Sequence, residues 1–320
     1  MKIIVPMAGM GKRMRPHTLT LPKPLLSIAG KSLVERIVDE IINSYIGNIE
    51  EIAFIIGDFG EEVKKKLIDI AESKGAKGKI YYQDKPLGTG HAIFCAHESL
   101  QGPCIVVFAD TLFKGIFNIT NQKNIIWTCK VEDPSQYGVV KNTIEGKITD
   151  FVEKPKEYIS NNAIIGIYYF QQAELLRNDL KRLLDNNIMV NGEFQLTDSL
   201  KKLLTDGENF EIGEVDEWLD CGNKNEFLKT NRRILEIEAK KQKETYLGNN
   251  VIIENSIIGN YVSIDDDCVI KNSTLYNCLI YKNTHIIDSE IFDSMVGNNC
   301  IIRNQKGKFN IGDYSSIENQ

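Results

Sequence analysis

The chain begins with short apolar runs that alternate with amphipathic segments. The run KIIVP is followed by SLVERIVDEIINSY, whose apolar residues recur every three or four positions, and then by EIAFIIG and EEVKKKLIDIAES. KIYYQ, HAIFCAHESL and PCIVVFAD continue the alternation up to Asp110. Apolar runs of strand length between helical periods predict βαβ units. This part of the chain is therefore predicted to be a doubly wound α/β domain with a mostly parallel sheet.

After Asp110 the pattern is mixed. Strands are predicted near NIIWTCKV, YGVVK, KITDFVEK and AIIGIYYF, and helices near AELLRNDLKRLLDN and TDSLKKLLTD. We expect these elements to extend the same sheet and to cover a substrate. A long, highly charged helix is predicted for NEFLKTNRRILEIEAKKQKE.

The tail has a short hydrophobic period. Ile252, Ile258, Ile264 and Ile270 are six residues apart. A second six-residue series consists of Val262, Cys268, Thr274, Ile280, Ile286 and Phe292. Such a period, with Gly and Asn between the apolar positions, predicts a short left-handed β-helix of hexapeptide repeats; the alternative is an unrelated run of short strands. The expected domains are residues 1–244 and 245–320.

Composition excludes several classes of partner. The net charge of −6 over 320 residues argues against nucleic acid as the main partner. The first apolar stretch is too short to span a membrane, and its cations follow it, unlike those of a secretory signal. We therefore expect a cytoplasmic protein without a membrane partner. Seven scattered Cys without a CxxC pair indicate reduced thiols, so a bound metal is expected to have oxygen ligands.

The amino-terminal segment is basic although the chain is acidic. Its first 34 residues contain six Lys and Arg and no Asp or Glu. The turn GMGKR follows the strand KIIVP, and a glycine turn in this place offers backbone N–H groups to an anion. It matches neither the Walker loop nor the dinucleotide fingerprint, because Pro6, Arg13 and Met14 occupy required positions. A surface turn with solvated cations is the alternative.

A family resemblance favours the phosphate-binding interpretation. The stretch GMGKRMRPHTLTLPKPLLSIAGKSL resembles the signature of sugar-1-phosphate nucleotidyltransferases. The further motifs of that family follow in order: QDKPLGTGHA, VVFAD, DPSQYGVV, ITDFVEKPKE, AIIGIYYF, GEFQLTDSL and EWLDCGN. The resemblance implies a Rossmann-like nucleotidyltransferase domain that joins a nucleoside triphosphate to a sugar-1-phosphate. Lys12, Ser32 and Ala109 depart from the family pattern, and Lys12 could alter contacts with the triphosphate.

The resemblance also implies roles for single residues. The catalytic set is Arg13, Lys23, Asp110, Lys154 and Asp220, in which Asp110 and Asp220 bind Mg²⁺. The nucleotide-binding set is Ala8, Gly9, Gly11, Lys12, Arg13, Gln83, Gly88 and Thr89, in which Gln83 and Gly88 contact a pyrimidine base. The sugar-phosphate set is Gly138, Glu153, Lys154 and Ile164. Because the attacking phosphate oxygen is already an anion, the reaction requires charge neutralisation and alignment rather than a general base.

The identity of the substrates is open at this stage. QDKPLGTGHA resembles the uracil-binding segment of UDP-N-acetylglucosamine pyrophosphorylases. DPSQYGVV, VEKPKE and AIIGIYYF are more similar to long-form glucose-1-phosphate thymidylyltransferases, and Ile164 stands where the N-acetylglucosamine enzymes have a sugar-binding Asn. We therefore expect glucose-1-phosphate with dTTP or UTP.

Two functions of other classes are weighed against this expectation. They are a hexapeptide acyltransferase and a non-catalytic sugar-nucleotide sensor. We expect the tail to pack on the rest of the chain or on another subunit, and a homo-oligomer is left open.

Overall fold

The computed structural model describes residues 1–117, 119, 123–239 and 244–318. The helices are α1 Leu33–Ser44, α2 Glu61–Ser73, α3 Thr89–Cys95, α4 Ala173–Asp185, α5 Leu196–Thr205 and α6 Lys224–Glu238. The strands up to α6 are β1 Lys2–Pro6, β2 Ser27–Ile28, β3 Lys31–Ser32, β4 Glu51–Ile56, β5 Lys77–Tyr82, β6 Cys104–Val107, β7 Thr111–Lys114, β8 Asn124–Lys130, β9 Gly138–Asn142, β10 Ile148–Glu153, β11 Asn162–Phe170, β12 Phe210–Glu214 and β13 Glu217–Asp220.

The strands of the tail are shorter. They are β14 Thr245–Leu247, β15 Ile252–Glu254, β16 Ile257–Ile258, β17 Val262–Ile264, β18 Val269–Lys271, β19 Thr274–Ile280, β20 His285–Ile287, β21 Glu290–Val296, β22 Ile301–Arg303, β23 Lys306–Gly307, β24 Asn310–Ile311 and β25 Ser316–Glu318. The end of the predicted long helix, residues 240–243, lies outside the described residues.

The chain divides into two compact units. One contains Met1–Gly9 and Ile37–Trp218, and the other contains Met10–Arg36 and Leu219–Gln320. We call them the first and the second unit. The predicted boundary between residues 244 and 245 separates a catalytic domain from a β-helix domain, and it stays a prediction.

The first unit is built on a mixed sheet. Its strand order is β10-β9-β11-β6-β1-β4-β5; β8 also pairs with β11, and β12 pairs with β8. β1 pairs in parallel with both β4 and β6, and β4 with β5, while β11 is antiparallel to β6. The inner strands are apolar on both faces because helices such as α3, α4 and α5 contribute to the same buried core. The predicted α/β fold with a mixed, mostly parallel sheet is confirmed.

The tail in the second unit is a β-helix. One of its sheets stacks β15, β18, β20, β22 and β25 in parallel, and another contains β14, β17, β19 and β21. Val269 pairs with His285, and His285 with Ile301, so that each of these coils contains 16 residues. The first coil has 17, from Ile252 to Val269. The prediction of a short left-handed β-helix is confirmed, although its coils are shorter than three hexapeptides.

The coil length follows from its corners. Residues in the left-handed backbone region recur every five or six positions: Asn250, Asn255, Tyr261, Asp267, Asn272, Asn277, Asn283, Asp288, Asp293, Asn299 and Asn304. Asn and Asp tolerate this conformation better than other L-residues. Corner side chains also bond between coils, as Asn272 Nδ2 does to Asp288 Oδ1 at 2.9 Å.

Because the coils are shorter than predicted, some residues of the two six-residue series do not lie in the core. Ile252 is 49% exposed, and Thr274 and Phe292 are half-buried instead of lying in the core. Leu275 and Ile291 are buried in their place. A strict six-residue period fails because one side of the first coil, and two of the three sides of each 16-residue coil, contain five residues.

No helix in the described part of the chain combines the length and the apolar character needed to cross a membrane.

The corner at Asn272 gives a test of this architecture. Its φ is 47°, where an alanine would be strained by about 1–2 kcal/mol. We expect Asn272→Ala to lower the free energy of unfolding by about that amount and Asn272→Gly to lower it less, because both lose the bond to Asp288 but glycine tolerates the conformation. Denaturant unfolding of both variants measures the difference. Equal stability of the two variants would contradict the corner assignment.

Candidate active site

The strand β1 ends at the glycine segment. Met7 N–H donates to Ile55 O at 2.8 Å, so the central parallel pairing continues one residue past the strand. Ala8 is half-buried and Gly9 is exposed. A Cβ on Gly9 would meet no atom within 4 Å, so the backbone here is open to a ligand. These two predicted nucleotide-binding residues belong to the first unit.

The rest of the signature segment lies in the second unit and turns tightly at Gly11. Gly11 has φ +56°, and a Cβ there would lie 3.0 Å from Lys23 Cβ and 3.1 Å from Thr18 Cγ2. Thr18 Oγ1 donates to Gly11 O at 2.8 Å. The structure thus brings Gly11 and Lys23 together. Lys12 and Arg13 are exposed, whereas Lys23 is buried.

Gly222 lies close to both a predicted cation and a predicted metal ligand. Its N–H donates to Asp220 Oδ1 at 2.8 Å. A Cβ at this glycine would lie 3.0 Å from Asp220 Oδ1 and 3.3 Å from Arg13 Nη2. Thr230 Oγ1 donates to the main-chain oxygen of Asp220 at 3.0 Å and fixes its backbone. The second unit therefore places the Arg13 guanidinium and the Asp220 carboxylate close to the same glycine.

Gln83 and Gly88, the predicted base-reading residues, are bonded to each other. Gln83 Nε2 donates to Gly88 O at 3.2 Å and lies 3.1 Å from His91 Nδ1. With both amide hydrogens engaged, Gln83 Oε1 is left to accept a hydrogen bond. The N3–H group of uracil or thymine is a donor of the required kind.

Residues 194–196 hold the loop that contains Gly88 in place. Gly90 N–H donates to Phe194 O at 2.8 Å, and Leu196 N–H donates to Thr89 Oγ1 at 3.1 Å. Gly88 has φ +104°, and a Cβ there would lie 2.6 Å from Phe194 O. The position therefore requires glycine for its conformation and for the close approach of another backbone.

His91 keeps Gln83 in this orientation as a neutral acceptor. Burial lowers the pKa of His91, while Asp84 opposes that shift. Its ring stacks on Phe194 with centroids 6.5 Å apart. The sequence indicated a packing or surface histidine here, and the packing is present. The bond to Gln83 depends on how the loop folds back onto α3.

Two residues of the predicted sugar-phosphate set and one further residue lie close to Gly138. A Cβ on Gly138 would lie 3.1 Å from Glu153 Oε2, 3.4 Å from Ile164 Cδ1 and 3.6 Å from Thr197 Cγ2. Thr197 Oγ1 bonds to Glu153 Oε2 at 3.4 Å. We call Gly138, Glu153, Ile164 and Thr197 the sugar cluster. Thr197 was given no role by the sequence, although it lies in the motif GEFQLTDSL.

Lys154, the fourth predicted member, follows directly after β10. Its φ is +41°, an uncommon conformation for a residue other than glycine, and its N–H donates to Tyr137 O at 3.1 Å. Such conformations are concentrated at functional sites. The Glu153 side chain is partly open to solvent. Desolvation by the surrounding protein nevertheless raises the pKa of its carboxyl group, and the charge of Lys154 opposes this shift.

Asp110 lies beyond the carboxyl end of β6. Phe108 N–H donates to Gly166 O at 2.9 Å, and the exposed Asp110 precedes β7. The described residues contain no group of three or more His, Cys, Asp or Glu side chains that could hold a metal together. Asp110 belongs to the first unit and Asp220 to the second, and their role as ligands of Mg²⁺ stays a prediction.

Comparison with known proteins identifies the family. The model of the nucleotidyl transferase family matches residues 2–237. The chain belongs to the nucleotidyl transferase family.

Three known proteins illustrate what the chain is similar to. It is 31% identical to the bifunctional protein GlmU of Methanococcus maripaludis, over 94% of this chain and 78% of the relative. It is 25% identical to the glucose-1-phosphate thymidylyltransferase of Streptomyces antibioticus, over 100% of both chains. The solved UDP-glucose pyrophosphorylase of Acinetobacter baumanii shares the fold, with a TM-score of 0.60 and 23% identity over 75% of this chain and 94% of that one.

The close contact at Gly88 predicts an asymmetric response to alanine. Gly88→Ala would introduce both an unfavourable φ and a collision with Phe194 O, whereas Gly60→Ala would introduce only the unfavourable φ, since a Cβ at Gly60 meets nothing within 4 Å. We expect Gly88→Ala to reduce the free energy of unfolding more, and to accelerate hydrogen exchange in residues 83–90. The interpretation is wrong if the two variants lose the same stability.

Proposed function

We propose that the protein joins a pyrimidine nucleoside triphosphate to a hexose-1-phosphate and releases pyrophosphate, with glucose-1-phosphate and dTTP or UTP as its substrates. The sugar cluster is the observation that carries this proposal. It combines a carboxylate that can accept bonds from sugar hydroxyls, a threonine hydroxyl, and a glycine that leaves room beside them. Lys154 follows Glu153 directly and is assigned to the sugar phosphate.

The residues then perform a charge-neutralised displacement. The phosphate oxygen of the sugar phosphate attacks the α-phosphorus of the triphosphate; an O–P bond forms, and the bond to the pyrophosphate oxygen breaks. Arg13 and Lys23 are assigned to the charge on the triphosphate and on the transferring phosphate, and Gly11 and Lys12 to the phosphate-binding turn. Mg²⁺, held by Asp110 and Asp220, would supply further positive charge when bound. Such preorganised charges act most strongly in the transition state.

Ile164 supports glucose rather than N-acetylglucosamine. It is 8% exposed and presents an apolar Cδ1 beside Gly138. An apolar side chain cannot form a hydrogen bond with the acetamido group of N-acetylglucosamine. UTP with N-acetylglucosamine-1-phosphate remains the second candidate, because QDKPLGTGHA resembles the uracil-binding segment of those enzymes.

The functions of other classes receive less support. A hexapeptide acyltransferase commonly uses an active-site histidine. Of the four His of the chain, the tail contains one, His285. Its backbone takes part in the parallel pairing of β18, β20 and β22. A sensor without activity would not need Asp110, Lys154 and Asp220, and all three are present.

A substrate panel tests the proposal. Pyrophosphate release is measured with dTTP, UTP, GTP or ATP, each combined with the 1-phosphate of glucose, N-acetylglucosamine or mannose. We expect dTTP or UTP with glucose-1-phosphate to give the fastest release. Equal use of GTP would refute the pyrimidine assignment, and preference for N-acetylglucosamine-1-phosphate would refute the assignment of the sugar. No release with any pair would refute the reaction.

The proposed metal ligands can be tested singly. Asp110→Asn and Asp220→Asn keep the size of the side chain but remove its charge, so each should lower kcat by about 100-fold or more. Asp150→Asn, in β10, serves as a control and should retain activity. Melting temperatures show whether each variant is folded. A folded variant with a near-normal kcat would remove that carboxylate from the proposed site.

The contact between Gln83 and His91 predicts a pH dependence. Because burial lowers the pKa of His91 below its ordinary value of 6.5, the neutral ring is favoured near neutral pH, and the contact is lost as the pH falls through the lowered pKa. Protonated His91 cannot accept from Gln83, so the KM for the triphosphate should rise at low pH.

Variants at two histidines separate this effect from titration of the substrate. His91→Asn keeps an acceptor that does not titrate and should flatten the rise in KM, whereas His97→Asn should not. Identical pH profiles for the wild type and His91→Asn would show that His91 does not control base binding.

A further inference from the structure

The second unit contains a basic pocket of about 240 Å³ beside the first half of α6. Its lining residues are Lys224, Asn225, Leu228, Lys229, Arg232, Asn277, Asp293 and Lys308. Four of these side chains are cationic and one is anionic. None of them belongs to the predicted catalytic or substrate-binding sets.

Lys224 is the least compensated of the four cations. It is half-buried, and its Nζ donates to Phe309 O at 3.1 Å. Within the part of the chain that the structure describes, no carboxylate lies within 4.0 Å of this ammonium group, although Asp293 acts on it from farther away. Burial lowers the pKa of Lys224, which reflects the cost of holding a cation there. An anion in the pocket would remove that cost.

Asp293 is already engaged by other groups. Its Oδ2 accepts from Lys308 Nζ and its Oδ1 from Asn277 Nδ2, at 2.7 and 2.8 Å. Asn277 Oδ1 is buried and has no hydrogen-bond partner in the described chain. This burial shields Asn277 Oδ1 from a ligand, so the pocket offers cationic donors. A ligand that complements them is an anion.

The remaining cations lie nearer the solvent. Lys229 pairs with Glu226 at 2.9 Å and Arg232 with Glu236 at 3.0 Å. Arg232 also lies over the ring of Tyr261, 4.2 Å from its centroid. These partners hold the two side chains at the rim while leaving the pocket with an excess of positive charge.

We propose that this pocket binds a small phosphate-bearing ligand, with Lys224 as its main cationic contact. Inorganic phosphate and a small phosphate monoester share this chemistry. The volume lies below the usual range of about 300–1,000 Å³ for ligand pockets, so a molecule as large as a nucleotide sugar does not fit.

The pocket adjoins a contact to the signature segment. Phe309, whose carbonyl accepts from Lys224, precedes Asn310, whose Oδ1 lies 2.9 Å from His17 Nε2. An anion that draws Lys224 away from Phe309 acts on the coil that holds His17. We expect ligand binding to change the activity of the enzyme, a consequence that rests on the proposed function. The existence of the site does not depend on it.

Calorimetric titration of the 320-residue chain tests the site without an activity measurement. The probes are inorganic phosphate and glycerol 2-phosphate. Lys224→Met should weaken binding by about 10-fold or more, because it removes a charged hydrogen-bond donor to the phosphate. Lys224→Arg keeps the positive charge and should retain most of the affinity. It is the control for a change of side chain at this position that does not remove the charge. Lys202→Met, whose side chain is exposed on α5, should bind as the wild type does.

The Arg13→Ala variant distinguishes this pocket from the triphosphate site. Binding that survives Arg13→Ala and is lost in Lys224→Met supports the proposal. Binding that is lost in Arg13→Ala and survives Lys224→Met overturns it, as does the absence of binding of both probes to the wild type. Tighter binding of glycerol 2-phosphate than of phosphate supports an organic phosphate monoester as the ligand, and the reverse order supports free phosphate.

Discussion

The signature segment depends on polar contacts with the β-helix. Residues 10–36 contain two short strands and single turns of 3₁₀-helix outside the start of α1, so they supply few backbone bonds of their own. Three contacts from the tail hold them: His17 to Asn310 at 2.9 Å, Thr20 to Asp313 at 2.7 Å, and Ser27 to Asp265 at 3.1 Å. The second unit is therefore one structure in which the coils fix a loop that carries the exposed Lys12 and Arg13.

Buried polar groups make this arrangement specific. Asn231 Oδ1 accepts from Ala29 N–H at 3.2 Å and from Ser263 Oγ at 2.7 Å, so that α6 links the segment to a coil. Arg36 donates to the carbonyl oxygens of Ile28 and Ala29, both at 2.7 Å. Removing one partner would leave the others buried without a hydrogen bond, which costs more than the bond contributes. The tail therefore supports the geometry of the signature segment as well as its own stability.

The sequence predicts those features that depend on regular periods or on contiguous motifs. Apolar runs identified the inner strands of the sheet, and the motifs led to Gly138, Glu153 and Ile164, which meet in the structure. The phase of the β-helix could not be predicted from its apolar residues, because corners such as Asn272 shorten the coils. The partners Thr197 and His91 were missed because their contacts depend on the paths of loops, although both lie within recognised motifs.

The most direct test of the dependence of the signature segment on the tail is hydrogen exchange in an Asn310→Ala variant. This change removes the partner of His17 Nε2 and leaves the strand pairings of the first unit intact. The account predicts faster exchange of the backbone N–H groups in residues 10–28 and unchanged exchange in Glu51–Ile56. Unchanged exchange in residues 10–28 would show that the segment holds its conformation without this contact with the tail.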